Sequence, residues 1–334
     1  LTGTIEYFKK DSKDLLFDVS QPASVGVTSI IQNIGKVTNS GVEIELDYNA
    51  FKNKDWSVSV GANATFVKNK IKNLPATMKE NGYISGSKKW LEGKSIYEFW
   101  LRQWHGVDPQ TGDGLYVADV SKYNQGNIGT GDGNITQSQF DEYKKTVVTI
   151  DGKELTNSYT YAKYDFSGSS IPDVFGGFNV RVSYKNFDLA AVFSYQLGGQ
   201  VLDTNYATMM SMTEFGYAQS PDLLKAWKQA GDITEVPRID NSAAHTTNIG
   251  QSYSTRWLTS SDYLNLRSVT IGYQFPKAWL SKVMLKSARL NLTAENLFML
   301  KARQGLNPMA NYSGVTYNEY MPSRNITLGL NVSF

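Results

Sequence analysis

Asn325-Ile326-Thr327-Leu328-Gly329-Leu330-Asn331-Val332-Ser333-Phe334 is the stretch that decides how the rest of the sequence is read. Asn325, Thr327, Gly329, Asn331 and Ser333 are polar or small, while Ile326, Leu328, Leu330, Val332 and Phe334 between them are apolar. An alternation of period two puts successive side chains on opposite faces of a strand, one face wet and the other apolar. A strand of this length crosses a bilayer when tilted.

Working back from this stretch, the same alternation recurs. Val42, Ile44, Leu46, Tyr48 and Ala50 alternate with Glu43, Glu45, Asp47 and Asn49. Val58, Val60, Ala62, Ala64 and Phe66 do so with Ser57, Ser59, Gly61, Asn63 and Thr65. Phe178–Tyr184 and Leu290–Phe298 carry it too, and Leu1–Phe8 reads as a further strand. Leu189–Tyr195 is apolar on both sides. Leu264–Phe275 is noisier, with Arg267 falling in the set that holds Val269, Ile271 and Tyr273.

The connections are of two kinds. Phe51–Asp55 and Lys185–Asp188 are short and polar, as hairpin turns are. The stretches at about 74–172 and 199–261 are long and rich in Gly, Ser, Asp, Tyr and Trp. Short turns on one side and long loops on the other are the asymmetry of a membrane barrel, with the long loops extracellular. The expected fold is all-β, a transmembrane antiparallel β-barrel of roughly nine or ten strands. A soluble β-sandwich or propeller also alternates, but the strand length and the aromatic residues near strand ends (Tyr48, Phe51, Phe66, Tyr184, Tyr273, Phe275, Phe298) favour the barrel.

Composition agrees. Of the 334 residues 13% are aromatic and 19% charged, with 20 Tyr and 28 Gly. No run is apolar enough for a transmembrane helix, whereas barrel strands keep average hydropathy low by showing lipid only every second side chain. A net charge of +2 gives no footprint for nucleic acid. Cysteine is absent, so there is neither a disulfide framework nor a thiolate metal site. The sequence starts at Leu1 with no signal peptide, and is expected to be the C-terminal portion of a longer protein.

Several segments, in order along nearly the whole chain, resemble the SusC/RagA-type TonB-dependent outer-membrane transporters. They are Asn39-Ser40-Gly41-Val42-Glu43, Gly93–Phe99 (with Lys94 where Pro is frequent), Gly106-Val107-Asp108-Pro109-Gln110-Thr111-Gly112, Ile171–Phe178, Tyr263–Tyr273, Ala294–Phe298 and Gly305-Leu306-Asn307-Pro308. Gly329, Val332 and Phe334 resemble the terminal signal read by barrel-assembly machinery, though Leu328 stands where that signal usually has a polar residue. The resemblance implies a 22-stranded plugged barrel in the outer membrane of a Gram-negative bacterium. It further implies a plug and a segment contacting TonB–ExbB–ExbD in an N-terminal part, a SusD-like surface lipoprotein as lid, and active import of an oligosaccharide or oligopeptide, glycan being favoured.

Catalysis has little to work with, since His105 and His245 are the only histidines and neither lies in a hydrolase motif. No enzyme activity and no resident cofactor are expected. Thr111-Gly112-Asp113-Gly114 and Thr130-Gly131-Asp132-Gly133 invite a Ca²⁺ test, but Ile128, Thr130 and Gln139 stand where an EF-hand needs ligands, and Asp-Gly is ordinary turn chemistry.

For cargo contact the run from Ile96 to His105 stands out. Read as a wall strand, it sends Tyr97, Phe99 and Leu101 to lipid and Glu98, Trp100, Arg102 and Trp104 to the lumen, because charge facing lipid is costly. Trp100 and Trp104 would then offer flat rings to a sugar or side chain, with Glu98 and Arg102 beside them and Trp90 as a loop candidate. The bland account is an aromatic girdle or packing against the plug. Glu43, Glu45 and Asp47 form a lumenal acidic row. Ser220–Ala230, ended by Gly231, reads as a short loop helix capped by Ser220. Two rival functions remain: a passive porin-like or adhesin-like barrel, and a soluble carbohydrate-binding β-protein.

Overall fold

The computed structural model describes residues 1–20, 29–211, 216, 218–240, 242, 245, 249–250 and 253–334. Its dominant element is one antiparallel sheet of nine strands. Eight form a continuous path: β1 (Thr2–Ser20), β2 (Ser29–Lys52), β3 (Trp56–Asn73), β4 (Val174–Tyr184), β5 (Phe187–Leu197), β6 (Tyr263–Gln274), β7 (Ser287–Glu295) and β8 (Asn325–Ser333). The ninth, Met299–Lys301, pairs with the start of β6 and continues the line of β7 past Asn296, where φ is 51°. Each strand lies beside its neighbour along this path, the up-and-down order of a barrel wall.

Register explains why these residues make a wall. Val58, Val182, Leu189, Ile271, Leu292 and Leu328 stand side by side across six strands. One residue along, Ser59, Arg181, Ala190, Thr270, Thr293 and Thr327 do the same on the opposite face. The apolar rows are open rather than covered: Ile5 is 73% exposed, Ile271 48% and Leu328 69%. A continuous uncovered apolar face of this size calls for a bilayer around it. The polar rows satisfy one another by hydrogen bonds, such as Thr270–Thr293 at 3.0 Å and Asn331 Nδ2 donating to Asn291 Oδ1 at 3.2 Å.

The irregular pattern around Arg267 has a backbone cause. Val192 faces Ser268 and Phe193 faces Leu266, which leaves Arg267 as an extra residue in a β-bulge. The bulge shifts the phase of the alternation, so Leu264 and Leu266 before it share a face with Val269 and Ile271 after it.

At one edge two of the connections are tight, and the third, residues 275–286, holds the short helices Lys277–Leu280 and Ser281–Val283. Asn53 Oδ1 accepts from the amides of Asp55 and Trp56, and Lys185 takes φ of 51° in the two-residue turn into β5. From the other edge open residues 74–173, 198–262 and 296–324. Strands β1 to β3 are 19, 24 and 18 residues long, and β4 to β8 run 9 to 12, so the first three rise past the rest on that side. The level where β4 begins, at Phe175, matches Thr65 of β3, and β3 continues to Asn73.

The long connections are folded. Trp104–Val107, Gly114–Val117, Lys153–Thr156 and Val147–Ile150 make one four-stranded sheet. Tyr164–Ser169, Glu98–Arg102, Lys88–Trp90 and Tyr83–Ser85 make another. Phe99, Leu101, Leu202, Val236, Trp257 and Val315, drawn from all three connections, share one buried core. This corrects the reading of Ile96–His105 as a wall strand. Phe99 and Leu101 are 0% exposed and face protein, not lipid, and the strand containing them lies outside the wall sheet. The segment after Ser220 is likewise shorter than expected, a 3-10 turn at Pro221–Lys225. Ser220 Oγ accepts from the Asp222 amide as a cap, and the chain leaves the helix at Ala226, well before Gly231.

Candidate functional site

The Glu98–Arg102 strand pairs with Tyr164–Ser169, and this sets the surroundings of the expected contact residues. Trp100 is parallel to Tyr164 with ring centres 6.2 Å apart, meets Phe166 edge-on at 4.9 Å, and carries Lys89 Nζ 4.1 Å from its centre. Arg102 lies over Tyr159 and Tyr164 at 4.8 and 4.6 Å and donates from Nε to the Tyr159 carbonyl at 2.8 Å. Glu98 sits at the other end of the same strand, opposite Ser169. Trp90 donates from Nε1 to the Ile96 carbonyl at 3.2 Å and packs on the buried Val37–Ile71–Leu74 cluster at the mouth of the wall. These contacts hold the loop sheet together.

Trp104 parts from this group because the strand breaks at Gln103 and resumes in the neighbouring sheet. Its amide donates to Thr255 Oγ1 at 2.9 Å, and its ring meets Tyr116 edge-on at 5.1 Å. That pairing brings Ser254-Thr255-Arg256-Trp257 alongside. The Arg256 guanidinium lies 4.7 Å from the Trp104 ring centre and 4.3 Å from that of Trp257, and Nη1 donates to the Ile249 carbonyl at 3.1 Å. From the third connection Arg303 stacks at 3.5 Å on Tyr206 and pairs with the buried Asp203 at 3.2 Å. Together these groups, with His105, Thr234 and Glu235, line a cavity of about 340 Å³ at the junction of three connections.

The two arginines are in different electrostatic states. Arg303 is neutralised by Asp203. Among the described residues no carboxylate lies within ion-pair reach of Arg256, and burial pushes its guanidinium down to about 10, still charged at neutral pH. Glu235, the acidic residue of the lining, is exposed at the rim. The sequence reading found Trp104 but missed Arg256, Trp257, Tyr206 and Arg303. An Arg-Trp pair in an aperiodic polar loop gives no signal until the loop's partners are known.

The Asp-Gly turns separate as well. Asp113 accepts from Arg238 Nε at 3.0 Å and lies 3.8 Å from His245 Nδ1, tying the first long connection to the second. Among the described residues no three acidic or histidine side chains gather as a metal site. At the opposite end of β8 from the loops, Gly329 faces Asn291, Val332 is on the apolar face opposite Ala288, and the Phe334 ring is 80% exposed. A larger apolar groove of about 610 Å³, lined by Phe178, Tyr195, Leu264 and Leu300, opens on the lipid side of the wall.

Residues 1–143 match the family model described as TonB dependent receptor-like, beta-barrel. The fold is that of a TonB-dependent receptor β-barrel. Among curated relatives, TonB-dependent receptor P3 of Formosa agariphila is 27% identical over 99% of this chain and 32% of its own length. TonB-dependent receptor SusC of Bacteroides thetaiotaomicron is 24% identical over 100% of this chain and 30% of its own. The solved RagAB peptide importer in its closed-closed state superposes with a TM-score of 0.76 at 24% identity, over 99% of this chain and 33% of that one. The chain thus spans about a third of the TonB-dependent receptors it matches, and the SusC/RagA-type resemblance extends over its whole length. The nine-stranded wall and its folded loops are a segment of that barrel type.

Proposed function

We propose that this chain belongs to an outer-membrane transporter of a Gram-negative bacterium that imports an oligosaccharide at the expense of TonB–ExbB–ExbD, with a SusD-like surface lipoprotein over the loops. The observation that carries the reading is the joining of three loop connections around one aromatic and cationic cavity above a transmembrane wall. A passive pore has no need of a loop cap with its own core, whereas a capture device does. Within that device Trp104 is the expected residue best placed for cargo, since it lines the cavity. Trp100, Arg102, Glu98 and Trp90 act through the neighbouring loop sheet, whose Glu98–Arg102 strand leads into Trp104.

Kinship with the RagAB peptide importer favours a second reading, in which the cargo is an oligopeptide. Uptake by intact cells separates these readings. Labelled oligosaccharide should accumulate in the wild type, and accumulation should cease on deletion of the protein or collapse of the proton-motive force. Uptake that survives that collapse would mean a passive pore. Uptake of labelled peptide in place of sugar would mean the second reading.

A further inference from the structure

We infer that the cavity between Trp104 and Arg303 is a carboxylate subsite, and that the cargo it reads is an oligosaccharide bearing uronic acid residues. This rests on the import reading and narrows its substrate class.

Three observations carry it. The first is a charge in want of a partner. Among the described residues Arg256 is clamped between two indole rings and donates one hydrogen bond, to the Ile249 carbonyl. A buried cation is costly unless an anion joins it. The ring clamp recovers part of that cost, and among the described residues no carboxylate supplies the remainder. The guanidinium fork also matches a carboxylate in geometry, with two parallel donors for two oxygens.

The second is the surrounding wall. Trp104 and Tyr206 bring ring surfaces to the same cavity, and flat apolar rings suit the faces of a pyranose. About 340 Å³ is room for one sugar unit with its water rather than for a chain.

The third is what the backbone withholds. Peptides are recognised largely through main-chain hydrogen bonds along a free strand edge. Here the Trp104 amide is committed to Thr255 Oγ1 and the Val236 amide to Thr234 Oγ1. At these two lining positions recognition falls to side chains, which favours a charged sugar over a peptide.

Binding of the full-length protein, purified in detergent with whatever lipoprotein accompanies it, tests this without any energy source. The probes are oligomers of galacturonate, glucuronate and mannuronate, a neutral maltooligosaccharide, and tetraglutamate. At least one uronate oligomer should bind about tenfold or more tighter than the neutral sugar. Arg256→Met should abolish that preference and Arg256→Lys restore part of it. Because a buried substitution can unfold the loops, the rim variant Glu235→Gln provides an independent readout. Removing a like charge there should tighten uronate binding by roughly two- to threefold at low salt, a gain that fades as salt is raised. The inference is overturned if no uronate is preferred, if Arg256→Met and Glu235→Gln both leave uronate binding as it was, or if tetraglutamate is the ligand preferred. Failure of energised uptake, by contrast, would sink the import reading while leaving these affinities in place.

Discussion

Asp188 of β5 and Arg289 of β7 meet at 2.7 Å across the strand that separates them, over Gly272 of β6. A Cβ at position 272 would collide with Arg289 Nη2 and come within 2.7 Å of both Asp188 carboxylate oxygens. The glycine is therefore the gap through which two non-adjacent wall strands are clasped on the polar face.

Gly272→Val should break this clasp and overpack the ladder, costing about 1–3 kcal/mol. Unfolding of the purified barrel in urea, followed by its heat-modifiable mobility on gels, reads the loss. A midpoint unchanged from wild type would mean that the pair contributes nothing to the wall.

Lys88 lies in the loop sheet with Nζ 3.1 Å from the Phe99 ring centre, donating to the Tyr97 carbonyl at 2.9 Å. Burial lowers its ammonium to about 7, against a nearby Glu98 that acts to raise it. The unfolded loop binds this proton up to its ordinary value of 10.5, so between pH 7 and that value the unfolded state holds more protons. Loop stability should accordingly rise with pH from about 7, by up to about tenfold in the local opening constant per pH unit, and be flat below. Amide exchange of residues 83–102 at pH 6.5 and 9 measures it, and Lys88→Met should erase the slope.

Trp100→Ala should loosen the loop sheet, by about 1–3 kcal/mol, because its ring is packed by Tyr164, Phe166 and Lys89. At a temperature where the loops stay folded, cargo affinity should shift far less than for Trp104→Ala. Equal losses in the two variants would restore Trp100 as a contact residue.

Asp113→Ala should free the second long connection from the first by removing the acceptor of Arg238 and the neighbour of His245. Limited proteolysis after residue 230 is the readout, with faster cleavage expected. Chelation of Ca²⁺ should leave the wild-type cleavage rate unchanged, since Asp113 already faces a guanidinium; faster cleavage on chelation would point to a bound ion.

The wall was legible because lipid on one side and water on the other impose a strict period of two, as in Ile326–Val332 and Val42–Tyr48. The same rule misled at Ile96–His105. Phe99 and Leu101 alternate with charged and aromatic neighbours as a wall strand would, but what covers them is Leu202 and Val236 rather than hydrocarbon. Local sequence cannot distinguish the two apolar surroundings. Arg267 broke the pattern because a bulge adds a residue without changing the faces. The cavity was legible only at Trp104, since Arg256 and Arg303 reach it from connections more than a hundred residues farther along the chain.

The unequal strand lengths have a consequence for the rim. From Val42 to Ser29, β2 climbs roughly 40 Å above the level where β4 begins, at about 3.3 Å per residue, with β1 beside it throughout and β3 as far as Lys36. Along this flank the wall stands as a parapet, dressed on its described upper reaches with Lys9, Lys10, Lys68, Lys70 and Lys72. The flank formed by β4 to β8 is low and carries the folded loops. The rim of this wall is therefore uneven, tall along one flank and low along the other.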